Sequence, residues 1–104
     1  MTPADFRRIA LSFAGAVEAG YMGKPDFRVN RRIFANLGYP DDGHGMVKLT
    51  RQQQEMLVEA EPAVFRPANG AWGRQGSTLV LLERIDEATL RSALGLAWGN
   101  LAAR

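Results

Sequence analysis

The spacing of hydrophobic positions changes several times along the chain, and each change marks a new element. Phe6, Ile9, Ala10 and Phe13 recur at i, i+3, i+4 and i+7, the spacing of one buried stripe on an α-helix. Thr2 suits an N-cap, Pro3 the first helical position, and Asp5 the site where a carboxylate complements the helix N-terminus. With Gly15 as the C-terminal stop, the pattern predicts a helix from about Pro3 to Phe13. Arg7 and Arg8 lie off the stripe and read as solvated helix surface. Val17 to Met22 has room for a short first strand, broken by Gly23 and Pro25.

From Lys24 to Leu49 the apolar residues come in three short runs, Phe27 to Val29, Ile33 to Leu37 and Met46 to Leu49, separated by Asn, Gly, Pro and Asp. That punctuation predicts an antiparallel meander. Its first hairpin has two open registers. A two-residue turn at Asn30-Arg31 pairs Phe27 with Phe34, while a three-residue loop puts Phe27 and Val29 on one face with Ile33, Ala35 and Leu37. The second is preferred, because it gathers Asp26, Arg28 and Asn36 on the opposite face with Phe34 as an apolar exception. Arg31 and Arg32 then sit adjacent and exposed at the tip, either as a phosphate-contacting wing or as a solvated turn.

Gly38 to Gly45 reads as a loop. Thr50 and Gln53 form a capping box for a second helix, whose modest apolar face is Leu57 and Ala60 with Met56 and Val58 flanking. Gln52, Gln53, Gln54 and Glu55 are assigned to its surface, and Pro62 closes it. Its neutral-to-acidic outer side makes it a poor recognition helix. Phe65 to Gly76 is irregular and rich in Gly and Pro. It reads as a mobile second wing in which Trp72, flanked by Arg66, Arg74 and Gln75, stacks on a base or packs down on the sheet edge. Ser77 to Leu82 is a strand, and Asp86 caps a last helix with Leu90, Ala93, Leu94, Ala97 and Leu101 on one stripe and Trp98 at its margin. The order α-β-β-β-α-β-β-α predicts an α+β two-layer sandwich, with helices on one face of an antiparallel sheet.

A chain of 104 residues with 46% hydrophobic residues is one domain, spanning 1–104, able to bury a core without staples. It has no Cys, which excludes disulfides, thiolate metal sites and a cysteine nucleophile. With no leader-like start and no run long enough to span a bilayer, a soluble cytoplasmic protein with no membrane partner is expected. The net charge of +2 is small, but its distribution is uneven. Lys24, Arg28, Arg31, Arg32, Lys48 and Arg51 face three acids over 24–51, and Arg66 and Arg74 face none from Pro62 to Leu82. Arg forks onto phosphate, although a GC-rich genome produces the same preference for Arg over Lys.

Catalytic chemistry has little behind it. His44, the only His, lies beside Asp41 and Asp42, but adjacent carboxylates and one imidazole make a poor metal site, and no triad is placed by motif. The glycines near Trp72 do not follow a strand and open a helix as a nucleotide cradle does. No cofactor, no metal and no enzymatic activity are expected.

An ordered series of short segments resembles the MmcQ/YjbR family over nearly the whole chain: G-K-P-D-F-R-V at 23–29, I-F-A-N-L-G-Y-P at 33–40, M-V-K-L-T at 46–50, V-F-R-P-A at 64–68, W-G-R-Q-G at 72–76 and L-G-L-A-W at 94–98. The resemblance implies an α/β sandwich of the order above, like that of secretion chaperones and CyaY. It also implies DNA binding through a sheet likened to the "double wing" of the phage transcription factor MotA. The positions matching that picture are Lys24, Arg28, Arg32 and Lys48 on or beside strands and Arg74 in the second loop, to which Arg31 and Trp72 add as candidates. Asn30-Arg31-Arg32 replaces the Gly residues before a Lys often found in this family, so the tip is more basic. Two functions follow: a binder of double-stranded DNA, or a protein or peptide interaction module using exposed sheet and Phe34, Tyr39 and Trp72. The oligomeric state is left open.

Overall fold

A computed structural model describes residues 1–21 and 24–102. The elements run α1 (Pro3–Leu11), β1 (Val17–Tyr21), β2 (Lys24–Val29), β3 (Arg32–Leu37), β4 (His44–Lys48), α2 (Arg51–Ala60), β5 (Phe65–Pro67), α3 (Gly70–Arg74), β6 (Ser77–Leu81), a short 3₁₀ turn (Leu82–Arg84) and α4 (Glu87–Ala102). This is the expected α+β order, with the optional first strand formed and a five-residue helix between the last two strands. The first strand was expected to reach Met22, which lies outside the described residues. All six strands join one antiparallel sheet in the order β1-β2-β3-β4-β6-β5. Among the described residues no helix is long and apolar enough to cross a membrane.

Local chemistry starts the helices where the residue types demanded. Thr2 accepts the Asp5 N–H at 3.1 Å while Asp5 accepts the Thr2 N–H at 2.8 Å. Thr50 and Gln53 make the same reciprocal pair for α2. At α4, Asp86 accepts the Thr89 N–H at 2.8 Å.

α1 and α4 pack together over one face of the sheet and bury Phe6, Ile9, Ala10, Leu90, Ala93, Leu94 and Ala97 against Phe27, Ala35, Val47 and Val80. Phe6 and Phe27 meet at 5.9 Å between ring centres. Gly45 lets α1 approach this closely: a β-carbon on it would stand 2.4 Å from Cε2 of Phe6. Burial of each such Phe contributes about 1.5–3 kcal/mol. On the opposite face Met46, Ala68 and Leu79 form a small satellite cluster.

Four local expectations are corrected. The first hairpin takes neither register alone. Val29 pairs with Arg32 and Arg28 with Ile33 across a two-residue turn, but Phe27 then pairs with Ala35, which leaves Phe34 as an extra residue in a bulge. The bulge satisfies both demands: the tip closes tightly and the base keeps Phe27, Ala35 and Leu37 facing the helices. Phe34, expected on the open face as an exposed apolar residue, is instead fully buried in the main core. The presumed second wing is a short strand and a helical turn, β5 and α3. Gln54, assigned to the surface, is 3% exposed, and its Nε2 donates to the carbonyls of Gly73 at 2.9 Å and Ser77 at 3.0 Å, fastening α3 to α2 and β6.

Candidate functional site

The β2–β3 turn is made by two successive residues with positive φ, Asn30 at 52° and Arg31 at 66°. Such a pair matches the right-handed twist of the flanking strands. Asn tolerates this conformation, and here its side chain is also anchored. Nδ2 of Asn30 donates to the carbonyls of Leu101 at 2.9 Å and Ala102 at 3.1 Å, two groups left without helical partners at the end of α4. The tip is thereby tied to the last helix. Arg31 has a Cβ to accommodate in the same region, at a cost of order 1 kcal/mol relative to Gly. An Arg held there is a departure from the residue that would suit the turn best.

Between this tip, the end of β4 and the last turn of α4 lies a groove of about 530 Å³. Arg28, Arg31, Arg32 and Lys48 line it, with Thr50 and Asn100 as neutral polar groups and Ile33, Leu49 and Leu101 as apolar wall. Asn100 fixes that wall by donating from Nδ2 to Oε1 of Gln53 at 2.9 Å and to the Lys48 carbonyl at 3.4 Å. Arg28 is held by Asp26, which accepts from Nε at 2.8 Å and from Nη2 at 3.2 Å, so this pair adds little net charge. Arg31, Arg32 and Lys48 are exposed and form no ion pair among the described residues. The arginines of α1, α2 and α4 differ: Arg7 pairs with Glu18, Arg8 and Arg91 both with Glu87, and Arg51 with Glu55. Among the described residues the cations of α1, α2 and α4 are paired, whereas Arg31, Arg32 and Lys48 at the hairpin tip are not, nor are Lys24, Arg66, Arg74 and Arg84 elsewhere.

The other candidates lie elsewhere. Lys24 lines a separate cleft with Arg7, Glu18, Pro25 and Leu37. Arg74 borders a depression with Arg51, Gln54 and Asn69, and its carbonyl accepts from Nη1 of Arg51 at 2.8 Å. Trp72 is 58% exposed on α3 and meets Tyr39, 41% exposed, edge to face at 6.1 Å. Asn100 and Leu101 were not among the sequence candidates, since only the docking of α4 brings them to the groove, and Thr50, which follows β4, was read only as the cap of α2.

Asp41 and His44 do approach one another, Nδ1 to Oδ1 at 2.8 Å. That contact, the Gly43 N–H and, farther off, the charge of Arg66 hold the Asp41 carboxyl below its ordinary value. His44 and Arg66 share an apolar cleft of about 350 Å³ with Val64, Phe65, Leu79 and Leu81. Among the described residues no group of three His, Cys, Asp or Glu side chains is placed to hold a metal ion.

A family model described as YjbR matches residues 11–100, which takes in the meander, the hairpin tip and all but the end of α4. The chain belongs to the YjbR family. No curated protein matches it. Among solved structures, the crystal structure of Deinococcus radiodurans protein DR2400, a DUF419 domain, shares its fold with a TM-score of 0.76. That likeness is at 18% identity and covers 93% of this chain and 75% of that one. In this YjbR-family chain the matched span contains every polar residue of the groove and leaves out most of α1.

Proposed function

We propose that this protein binds the phosphate backbone of nucleic acid through the groove of Arg28, Arg31, Arg32 and Lys48, acting by binding rather than catalysis. The observation that carries this reading is Arg31: a long cation occupies a positive-φ turn position that favours Gly, beside Arg32 and in one groove with Lys48, and no acid among the described residues is paired to any of the three. Strain retained at an exposed position points to use of the side chain. Arg supplies paired N–H donors to phosphate oxygens, and a hairpin tip presents them. The net charge of +2 keeps long-range attraction modest, so affinity in the range typical of non-specific binding, about 10⁻⁴–10⁻⁶ M, is expected at physiological salt.

The test is fluorescence anisotropy of a labelled random duplex, titrated at 50 and 200 mM salt with the protein and with an Arg31→Glu, Arg32→Glu variant. Three phosphate contacts give a slope near −0.9 per contact, hence a roughly 40-fold weakening over that range. Binding is expected to be lost in the variant. Absence of binding at low salt, or equal binding by the variant, would rule the proposal out. A second role, protein or peptide recognition, is favoured only by the half-exposed Tyr39–Trp72 pair.

A further inference from the structure

Resting on that backbone-binding reading, the arrangement of the cations says more than their number. A protein that follows a running strand spreads its cations in a line, because phosphates recur every ~3.4 Å of axis along each strand and each diester carries one charge. Here four cations from three separate segments line a single groove. Arg31 and Arg32 stand on the turn, Lys48 at the end of β4, and Arg28 on β2 beside Ile33. The last turn of α4 closes the far side with Asn100 and Leu101. A volume of about 530 Å³ falls within the range of small-ligand pockets, ~300–1,000 Å³. Its apolar wall of Ile33, Leu49 and Leu101 could lie against a sugar or base, while the rim could surround an anion.

The anion best matched to several convergent cations is one with more than a single charge. A phosphate monoester carries about −1.5 to −2 at neutral pH and exposes three oxygens, against the single charge of a diester. Two Arg forks and one ammonium supply more donors than a diester's two free oxygens can use. The acid closest in sequence to this cluster, Asp26, is engaged by Arg28. We propose that the groove holds a terminal phosphate monoester at the end of a nucleic-acid strand, with Arg31, Arg32 and Lys48 around the phosphate and the apolar wall against the terminal nucleoside.

The experiment compares single-stranded oligonucleotides of one sequence ending in 5′-phosphate, 3′-phosphate or hydroxyl only, by anisotropy at fixed salt, with inorganic phosphate and a mononucleotide as competitors. At least about tenfold tighter binding of a phosphorylated end is expected, from the added charge and charge-assisted hydrogen bonds. The difference should disappear in Arg32→Gln and shrink in Lys48→Gln, both checked for an unchanged melting curve. Equal binding of all ends overturns the terminal-phosphate proposal and leaves backbone binding intact. No binding of any oligonucleotide overturns the terminal-phosphate proposal as well, and the duplex titration then decides backbone binding separately. Competition by the mononucleotide at the same concentration as the phosphorylated strand overturns the assignment to a strand end, and assigns the groove to a free nucleotide.

Discussion

Gln54→Leu removes a side chain that is 3% exposed and replaces it with one of similar size and no polar atom. Two hydrogen bonds disappear, those to the carbonyls of Gly73 and Ser77 at 2.9 and 3.0 Å. Each neutral hydrogen bond of this kind contributes a net ~0.5–1.5 kcal/mol, so the pair brackets about 1–3 kcal/mol. The upper end requires orphaned carbonyls. Both keep a second donor, however: Gly73 accepts from Gly76 N–H at 3.1 Å and Ser77 from Ala68 N–H at 2.9 Å. Added apolar burial offsets a further part, which leaves a loss of about 1–2 kcal/mol, or roughly 5–12 °C in Tm for a domain of this size. The assay is urea unfolding followed by far-UV circular dichroism, with the m-value held as a check, beside an exposed control, Gln52→Ala. Since these bonds fasten α3, which carries Trp72, tryptophan emission should also change under native conditions in Gln54→Leu and not in the control. A stability within 0.5 kcal/mol of the parent with unchanged emission would show that the two bonds do not hold α3 in place, and that the buried amide is tolerated rather than used.

Gly45→Ala should cost about 1–3 kcal/mol by overpacking, because the new methyl would stand 2.4–2.9 Å from a fully buried Phe6 ring; a Tm unchanged in calorimetry would show that α1 gives way freely. Arg31→Gly should raise stability by up to about 1 kcal/mol by relieving the turn while weakening duplex binding severalfold, and a variant that binds as tightly as the parent would remove Arg31 from the interface. Asp5 and Asp86 have carboxyls held below their ordinary 3.8, chiefly by backbone N–H groups of Thr2 and Thr89. Their stabilisation is therefore present above pH 3.8 and lost as pH falls through the lowered folded values. The Asp5→Asn, Asp86→Asn variant should start less stable at pH 6 and lose less on acidification, so that the urea midpoints of variant and parent draw together as pH falls below 3.8; parallel curves would contradict the assignment.

The resemblance to the MmcQ/YjbR family was legible in short segments spread from Gly23 to Trp98, and the match over residues 11–100 bears it out. The sandwich it implied is the fold observed. Its functional half was a fold analogy and carries over only as a proposal.

What the residues determined alone was whatever closes within a few positions. The caps Thr2–Asp5, Thr50–Gln53 and Asp86–Thr89 each span three residues, and the apolar stripe of α4 follows its own period, so both could be read directly. Arg31 and Arg32 were visibly at a tip for the same reason. Tertiary structure decided the rest. The bulge at Phe34 arises because the tip and the base of one hairpin answer to different partners, the turn in one case and the helices across the core in the other. Gln54 looked like surface because its hydrogen-bond partners lie 19 and 23 residues away. The groove exists only once Asn30 meets Leu101 and Asn100 meets Lys48, contacts across 71 and 52 residues that no local pattern encodes. Periodicity shows which face of an element is apolar, whereas which charges converge, and which are already paired, depends on how the elements dock.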